Sequence, residues 1–216
     1  MIFGTRLSIA TGLLLLTSGT SLATELDTSA LLERLVRPAP DTTSFVEIRY
    51  SAMLTEPIIA SGELEHRVDD ALVRRVTAPY RETTVLAGDH VLFEREGRKP
   101  RRFSLDRAPE LRGLLASFGA LLQGDRAMLE RYFKMTSTGT DAGWQLELTP
   151  REDKLKTRLA LIRVDGAKSS LRCVTMVEPD GDASVMALGI QDRSALPTSL
   201  DRQSLLLWCA NDGKAQ

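Results

Sequence analysis

Residues 61–94, SGELEHRVDDALVRRVTAPYRETTVLAGDHVLFE, decide how this chain is read. They divide into three or four consecutive antiparallel strands. Gly62 opens the first, Leu64 alternates with Glu63 and Glu65, and Asp69-Asp70 supplies a turn. Leu72, Val73 and Val76 form the next strand, which Pro79 closes because proline has no N–H to give to a ladder. Thr83 to Leu86 lead into the tight turn Ala87-Gly88-Asp89-His90, and Val91, Leu92 and Phe93 return as the hairpin partner. A meander of this length buries one face and leaves the other polar. Function then depends on what covers the apolar face, the protein's own helices or a ligand.

Upstream, residues 27–37 predict a short helix capped by Asp27 or Thr28, with Leu31, Leu32, Leu35 and Val36 at helical spacing and Pro38 and Pro40 as its stop. Residues 43–54 predict a strand with Phe45, Glu47 and Arg49 on one face and Val46, Ile48 and Tyr50 on the other. Glu47 and Arg49 read as a solvated pair on the outer face. Downstream, residues 101–105 add a strand before the period changes. Pro109 suits a first helical turn, and Leu111, Leu114, Leu115, Phe118, Leu121 and Leu122 make an apolar stripe that Gly124 ends. Asp125 caps a second short helix, DRAMLERYF. The period returns to two at Trp144, Leu146 and Leu148. Pro150 and REDKLK read as an exposed loop, residues 157–164 as a strand, and Asp165-Gly166 as a hairpin turn. Residues 170–177 and 183–190 follow as strands around Pro179-Asp180-Gly181-Asp182, and the tail has one more apolar run, Leu205 to Trp208.

The chain has 216 residues. Its first 23 read as a secretory signal peptide: Arg6, a short apolar core from Leu7 to Leu16, and Ser21-Leu22-Ala23 as the cleavage site. That apolar run is half the length of the ~20 residues a spanning helix needs. No cysteine stands at the cleavage point, so lipidation is not expected. Residues 24–216 are then a single secreted domain, expected in the periplasm. Balanced charge with no basic stripe argues against a nucleic-acid partner. Cys173 and Cys209, the two cysteines, permit a disulfide closing a loop of 36 residues; two separate reduced thiols are the alternative.

Chemistry is hard to assemble from these residues. There are two histidines, His66 and His90, and no C-x-x-C, H-E-x-x-H, G-x-S-x-G or glycine-rich phosphate loop. His66 and Asp70 are one residue too close for an acyltransferase pair. Asp180 and Asp182 resemble half of a calcium loop without the remaining ligands, and read as a plain turn. No enzyme, metal or cofactor is expected. What remains is a binding surface.

The order of short helix, strand with Phe45, GELEHRVDDALVRRVTAP, TVLAGDHVLFE, RRFSL, helical insertion and WQLELTP resembles the LolA-like family, periplasmic carriers of outer-membrane lipoproteins and their relatives. The likeness spans about residues 28–190. It implies an α+β fold: a curved, incomplete antiparallel barrel with helices as a lid over an apolar cavity. It also implies acylated lipid or lipoprotein cargo, another acylated or polyene lipid in a divergent relative, and transfer without covalent chemistry. An inner-membrane exporter and an outer-membrane acceptor are the implied partners, and the protein is expected as a monomer. The expected lining is Phe45, Leu64, Leu72, Val85, Leu92 and Trp144 from the sheet, with Leu114, Leu115, Phe118, Leu121 and Leu122 from the lid. The family's arginine latch is not matched residue for residue, because His66-Arg67-Val68-Asp69 shifts the arginine by one and lacks the proline. The alternative expectation is an assembly module with a closed core that docks on an inner-membrane exporter.

Overall fold

A computed structural model of the protein describes residues 26–107 and 119–211. The signal peptide and Leu114, Leu115 and Phe118 lie outside the described residues. Eleven strands form one open antiparallel sheet in the order β6-β5-β4-β3-β2-β1-β11-β10-β9-β8-β7. These are β1 (Asp41–Tyr50), β2 (Ile58–His66), β3 (Leu72–Ala78), β4 (Glu82–Ala87), β5 (His90–Arg95), β6 (Arg101–Ser104), β7 (Phe133–Thr140), β8 (Gly143–Pro150), β9 (Leu161–Ala167), β10 (Ser170–Val177) and β11 (Ala183–Leu188). Two meanders, β1–β6 and β7–β11, join where β1 pairs with β11 from Phe45 opposite Leu188 to Tyr50 opposite Ala183. Among the described residues β6 and β7 are the two edges of an open sheet, so the barrel is incomplete, as expected.

Cross-strand pairs put opposed residues on the same side, so the register sorts the sheet into two faces. One face holds Phe45, Glu47 and Arg49, with Leu64, Leu72, Leu146 and Trp144; the other holds Val46, Ile48 and Tyr50 with Val73, Val185 and Cys173. Helix α1 (Thr28–Leu35), capped by the Asp27 carboxylate accepting from the Ser29 N–H at 2.9 Å, covers the Phe45 face over β7–β9. Its Leu31, Leu32 and Leu35 are fully buried against Leu146, Leu148, Ile162 and Val164. The Ser137 hydroxyl donates to the Leu26 carbonyl at 2.6 Å and meets the Thr28 hydroxyl at 2.7 Å, so α1 is fastened to β7 at its start. Residues 119–123 are helical, and α2 (Arg126–Tyr132), capped by Asp125 as expected, closes the same core with Leu129.

Helix α4 (Arg202–Ala210) covers the opposite face over β8, β9 and β11, burying Leu205 and Trp208 on Val46, Ile48 and Val185. Cys173 and Cys209 are bridged, with Cα atoms 5.7 Å apart, and tie this helix to β10. Tyr50 donates its hydroxyl to the Leu200 carbonyl at 2.8 Å, and burial raises its pKa to about 12. Under α4 the layer is not purely apolar. Asp165 lies opposite Cys173, is 1% exposed, and accepts from the Gln145 amide at 3.0 Å. Burial pushes its carboxyl above the ordinary aspartate range, while the Gln145 hydrogen bond and the charges of Arg163 and Arg172 oppose the shift.

Several local expectations are corrected. Phe133 does not continue a helix but starts β7, a strand absent from the sequence reading. The REDKLK run contains a helical turn, α3 (Asp153–Lys156), because Leu155 is buried in the α1 core. Residues 157–160 precede β9 rather than belonging to it. Asp165-Gly166 lies inside β9, and the chain reverses at Lys168-Ser169, where Lys168 adopts φ 52°. Gly166 is needed for space: a Cβ there would lie 2.3 Å from the Trp144 ring. The tail run is the helix α4.

Candidate functional site

The described helices pack chiefly on β7–β11, which leaves the Phe45 face of β1–β6 as the candidate surface. Its rows follow from the register. Leu64, Arg74, Thr84 and Phe93 form one row, and His66, Leu72, Leu86, Val91 and Phe103 the next. Gly62, Val76, Glu82 and Arg95 form a third, beside Glu47 and Ala60. A β-bulge between Ser61 and Gly62 leaves Thr77 unpaired there. Gly62 is obligatory at that point, since a Cβ would lie 1.8 Å from the Arg75 carbonyl oxygen.

The expected lining divides accordingly. Phe45, Leu64 and Leu72 share this surface, and Phe45 is buried with Ala60 and Val76. Trp144 lies on the same face but in the α1 core, its indole N–H donating to the Lys168 carbonyl at 3.0 Å. Leu121 is buried in that same core, and the Leu122 carbonyl accepts from the Arg37 N–H at 2.8 Å. Val85 and Leu92 belong to the opposite face, in a row with Val73 and Glu65. The two-residue turn at Gly88-Asp89 sets Leu86 opposite Val91, and this parity sends Val85 and Leu92 away.

Charge is the feature that the sequence reading missed. Glu47 and Arg49 are not a solvated outer pair, because Glu47 is 4% exposed and sits on the Phe45 face. Its carboxylate accepts from Arg74, and its second oxygen is 3.4 Å from Arg49. Arg74 also lies 3.6 Å from Glu82, and Glu82 is 3.8 Å from Arg95. The Arg74 guanidinium stands 5.1 Å above the Phe45 ring and that of Arg95 4.0 Å above the Tyr80 ring. The result is an alternating ladder, Arg49–Glu47–Arg74–Glu82–Arg95, laid across β1, β3, β4 and β5. Period-two alternation along β1 and β3 was the available signal. Sequence alone does not give the offset between strands that brings Glu47 to Arg74.

Two cavities adjoin the ladder. One of about 250 Å³ is lined by Glu47, Arg49, Ile58, Ala60, Tyr80 and Arg95. A wider one of about 520 Å³ opens at the β3–β4 and β5–β6 ends, among Arg75, Arg81, Glu94 and Arg98. His66 is buried on the same face, with Nε2 3.5 Å from Asp70 and no hydrogen bond to either ring nitrogen among the described residues. Arg67, nearest to the family's latch position, bonds within its own meander to Glu65 at 3.1 Å. Asp182, once half of a calcium-like pattern, accepts from the Ala52 N–H at 2.9 Å and joins two turns. No group of His, Cys, Asp and Glu suited to a metal occurs among the described residues.

An open antiparallel half-barrel with helices packed on its faces defines an α+β protein of the LolA-like class. The family model described as outer membrane lipoprotein carrier protein LolA-like matches residues 20–206, and the chain belongs to this family. Among curated proteins none matches the sequence. The LolA superfamily protein NE2245 from Nitrosomonas europaea is similar in structure at 12% identity and TM-score 0.38, over 83% of this chain and 97% of that one. LprF from Mycobacterium bovis is similar at 11% identity and TM-score 0.33, over 81% of this chain and 95% of that one. The Pseudomonas aeruginosa MucA/MucB complex gives 13% identity and TM-score 0.39 over 81% of this chain, which covers 59% of that longer one. No helix among the described residues is long and apolar enough to cross a membrane.

Proposed function

We propose that this protein is a periplasmic carrier that holds an acyl-bearing ligand, without covalent chemistry, against the Phe45 face of β1–β6. One observation supports this most directly. Leu64, Leu72, Leu86, Phe93 and Phe103 line that face where the described helices do not pack, and Phe103 is 44% exposed. Family membership supports it independently. Each CH₂ removed from water contributes about 0.8 kcal/mol, so a sixteen-carbon chain offers on the order of 10 kcal/mol before ordering costs. That margin allows capture and also release to an acceptor. Secretion with cleavage near Ala23, a donor exporter in the inner membrane, an acceptor in the outer membrane and a monomeric state belong to this reading.

Native mass spectrometry of the purified protein, followed by lipid extraction, tests it. A retained lipid is expected, together with displacement of a fluorescent fatty acid from the delipidated protein. Leu64→Glu should abolish that binding, whereas Leu92→Glu, on the opposite face, should preserve it. Absence of both retained lipid and fatty-acid binding would leave the second reading, an assembly module docking on an exporter. The closed packing of Leu31, Leu32 and Leu35 under α1 favours that second reading.

A further inference from the structure

The ladder across the Phe45 face has an odd number of members. Three guanidiniums alternate with two carboxylates, so one positive charge is left over, and both terminal members are arginines. Arg49 and Arg95, the two ends, line the same cavity of about 250 Å³. Glu47 also lines it, but its carboxylate is engaged by Arg74 from the interior of the ladder. Arg49 touches Glu47 at 3.4 Å and its side chain is 57% exposed. Arg95 reaches Glu82 at 3.8 Å, its guanidinium lies 4.0 Å from the Tyr80 ring centre, and its side chain is about one-third exposed. Arg49 has one long hydrogen bond to Glu47 and Arg95 only the 3.8 Å approach to Glu82, so neither terminal arginine has a short carboxylate partner among the described residues.

The remaining walls of this cavity are Ile58, Ala60 and the Tyr80 ring, all apolar. Its volume falls below the ~300–1,000 Å³ of pockets for drug-sized ligands, so it suits a head group and the first part of a chain. Beyond it the same face continues past Phe45, which is buried beneath the Arg74 guanidinium, to the half-buried Leu64. Two arginine forks at one end of an apolar strip match an anion carried on an alkyl chain, because a guanidinium pairs with carboxylate or phosphate through parallel N–H···O bonds. A neutral chain would leave the surplus charge without a counterion.

We propose that Arg49 and Arg95 form a subsite for the anionic head of an amphiphile, a phosphate esterified to an alkyl chain or a free carboxylate at its end. This rests on the carrier reading and names the chemical class of its ligand. Titration calorimetry of the delipidated full chain with dodecyl phosphate, dodecyl maltoside and inorganic phosphate tests the assignment. Dodecyl phosphate should bind about tenfold tighter than the maltoside, with the preference shrinking as salt rises. Arg49→Gln and Arg95→Gln should each weaken the phosphate amphiphile by about fivefold or more and leave the maltoside unchanged. Arg102→Gln, on the opposite face, should alter neither. Arg49 is more than half exposed, so its variant is expected to fold; circular dichroism confirms this before titration.

Equal binding of the two amphiphiles, or an unchanged phosphate affinity in Arg49→Gln, would overturn the subsite while leaving the carrier intact. Inorganic phosphate binding as tightly as dodecyl phosphate would replace it with a free-anion site. Binding of neither amphiphile would overturn the subsite and the carrier reading together.

Discussion

The two halves of the sheet use the same alternating strands for opposite ends. Over β7–β11 both faces are covered, one by α1 and α2 and the other by α4, and the packed residues are mainly aliphatic or aromatic, with Ser137, Asp165 and Thr175 buried among them. Over β2–β6 one face sets Glu63, Glu65, Arg75 and Glu94 beside the apolar row Val73, Val85 and Leu92, and the other mixes leucine and phenylalanine with the arginine–glutamate ladder. The first half is built to stay shut. Among the described residues it buries the single carboxyl of Asp165 beside Gln145 and Arg163, whereas the second half carries a five-member ladder of paired, partly hydrated charge. On the proposed reading, stability and recognition fall to different meanders of one sheet.

The sharpest way to break that division is to cut the covalent tie in the covered half. Cys173→Ser with Cys209→Ser should lower the unfolding free energy by about 3–4 kcal/mol in the chain-entropy account of a loop this long, read by urea melts. An unchanged midpoint would mean that α4 holds by packing alone. Next, Leu32→Ala should cost about 3 kcal/mol, since its site under α1 is closed on every side. Leu64→Ala, half-buried on the other meander, should cost about 1 kcal/mol. Equal losses would erase the distinction between the halves.

Within the ladder, Glu47→Gln should destabilise by about 2 kcal/mol, because Arg74 then lacks its closest carboxylate. Adding Arg74→Leu to Glu47→Leu should restore much of the loss, and a double-mutant cycle isolates the coupling. The smallest effect is expected at Asp165. Its raised pKa means the folded protein keeps a proton that the unfolded chain loses above about 3.8, so stability falls as pH rises through that window. Asp165→Asn removes the ionisation. Its melting temperature relative to the natural protein should therefore improve from about pH 4 to about pH 7. A gap that is constant with pH would show that Asp165 is fully compensated by Arg163 and Arg172.

Much of the fold was legible because turns and periods agreed. The meander from Gly62 to Phe93 and the turn at Pro179 to Asp182 are where proline, glycine and aspartate placed them. Strand β7 was not legible, since in FKMTSTGT the inward position at Ser137 is a hydroxyl that fastens α1 rather than an apolar contact. Asp165-Gly166 misled because its glycine serves the Trp144 ring, not a turn. Val85 and Leu92 misled for another reason. Val85-Leu86 and Val91-Leu92-Phe93 are consecutive apolar residues, so alternation does not say which member faces which side. Only the register does. The ladder required register across four strands, beyond the reach of any local pattern.

The seam between the meanders has a consequence for how the molecule is made. Phe45 and Leu188 are neighbours in space but about 140 residues apart along the polymer, so that junction belongs to the slowest class of contact to form. As the chain is delivered from its amino-terminal end its first strand can pair with β2 at once, yet its other margin stays unclaimed until nearly the whole length has appeared. An unclaimed margin of that kind invites pairing with a foreign strand. A chain cut short before Ala183 would therefore be expected to aggregate rather than persist as a smaller unit, which makes the late-arriving β11 the keystone of assembly.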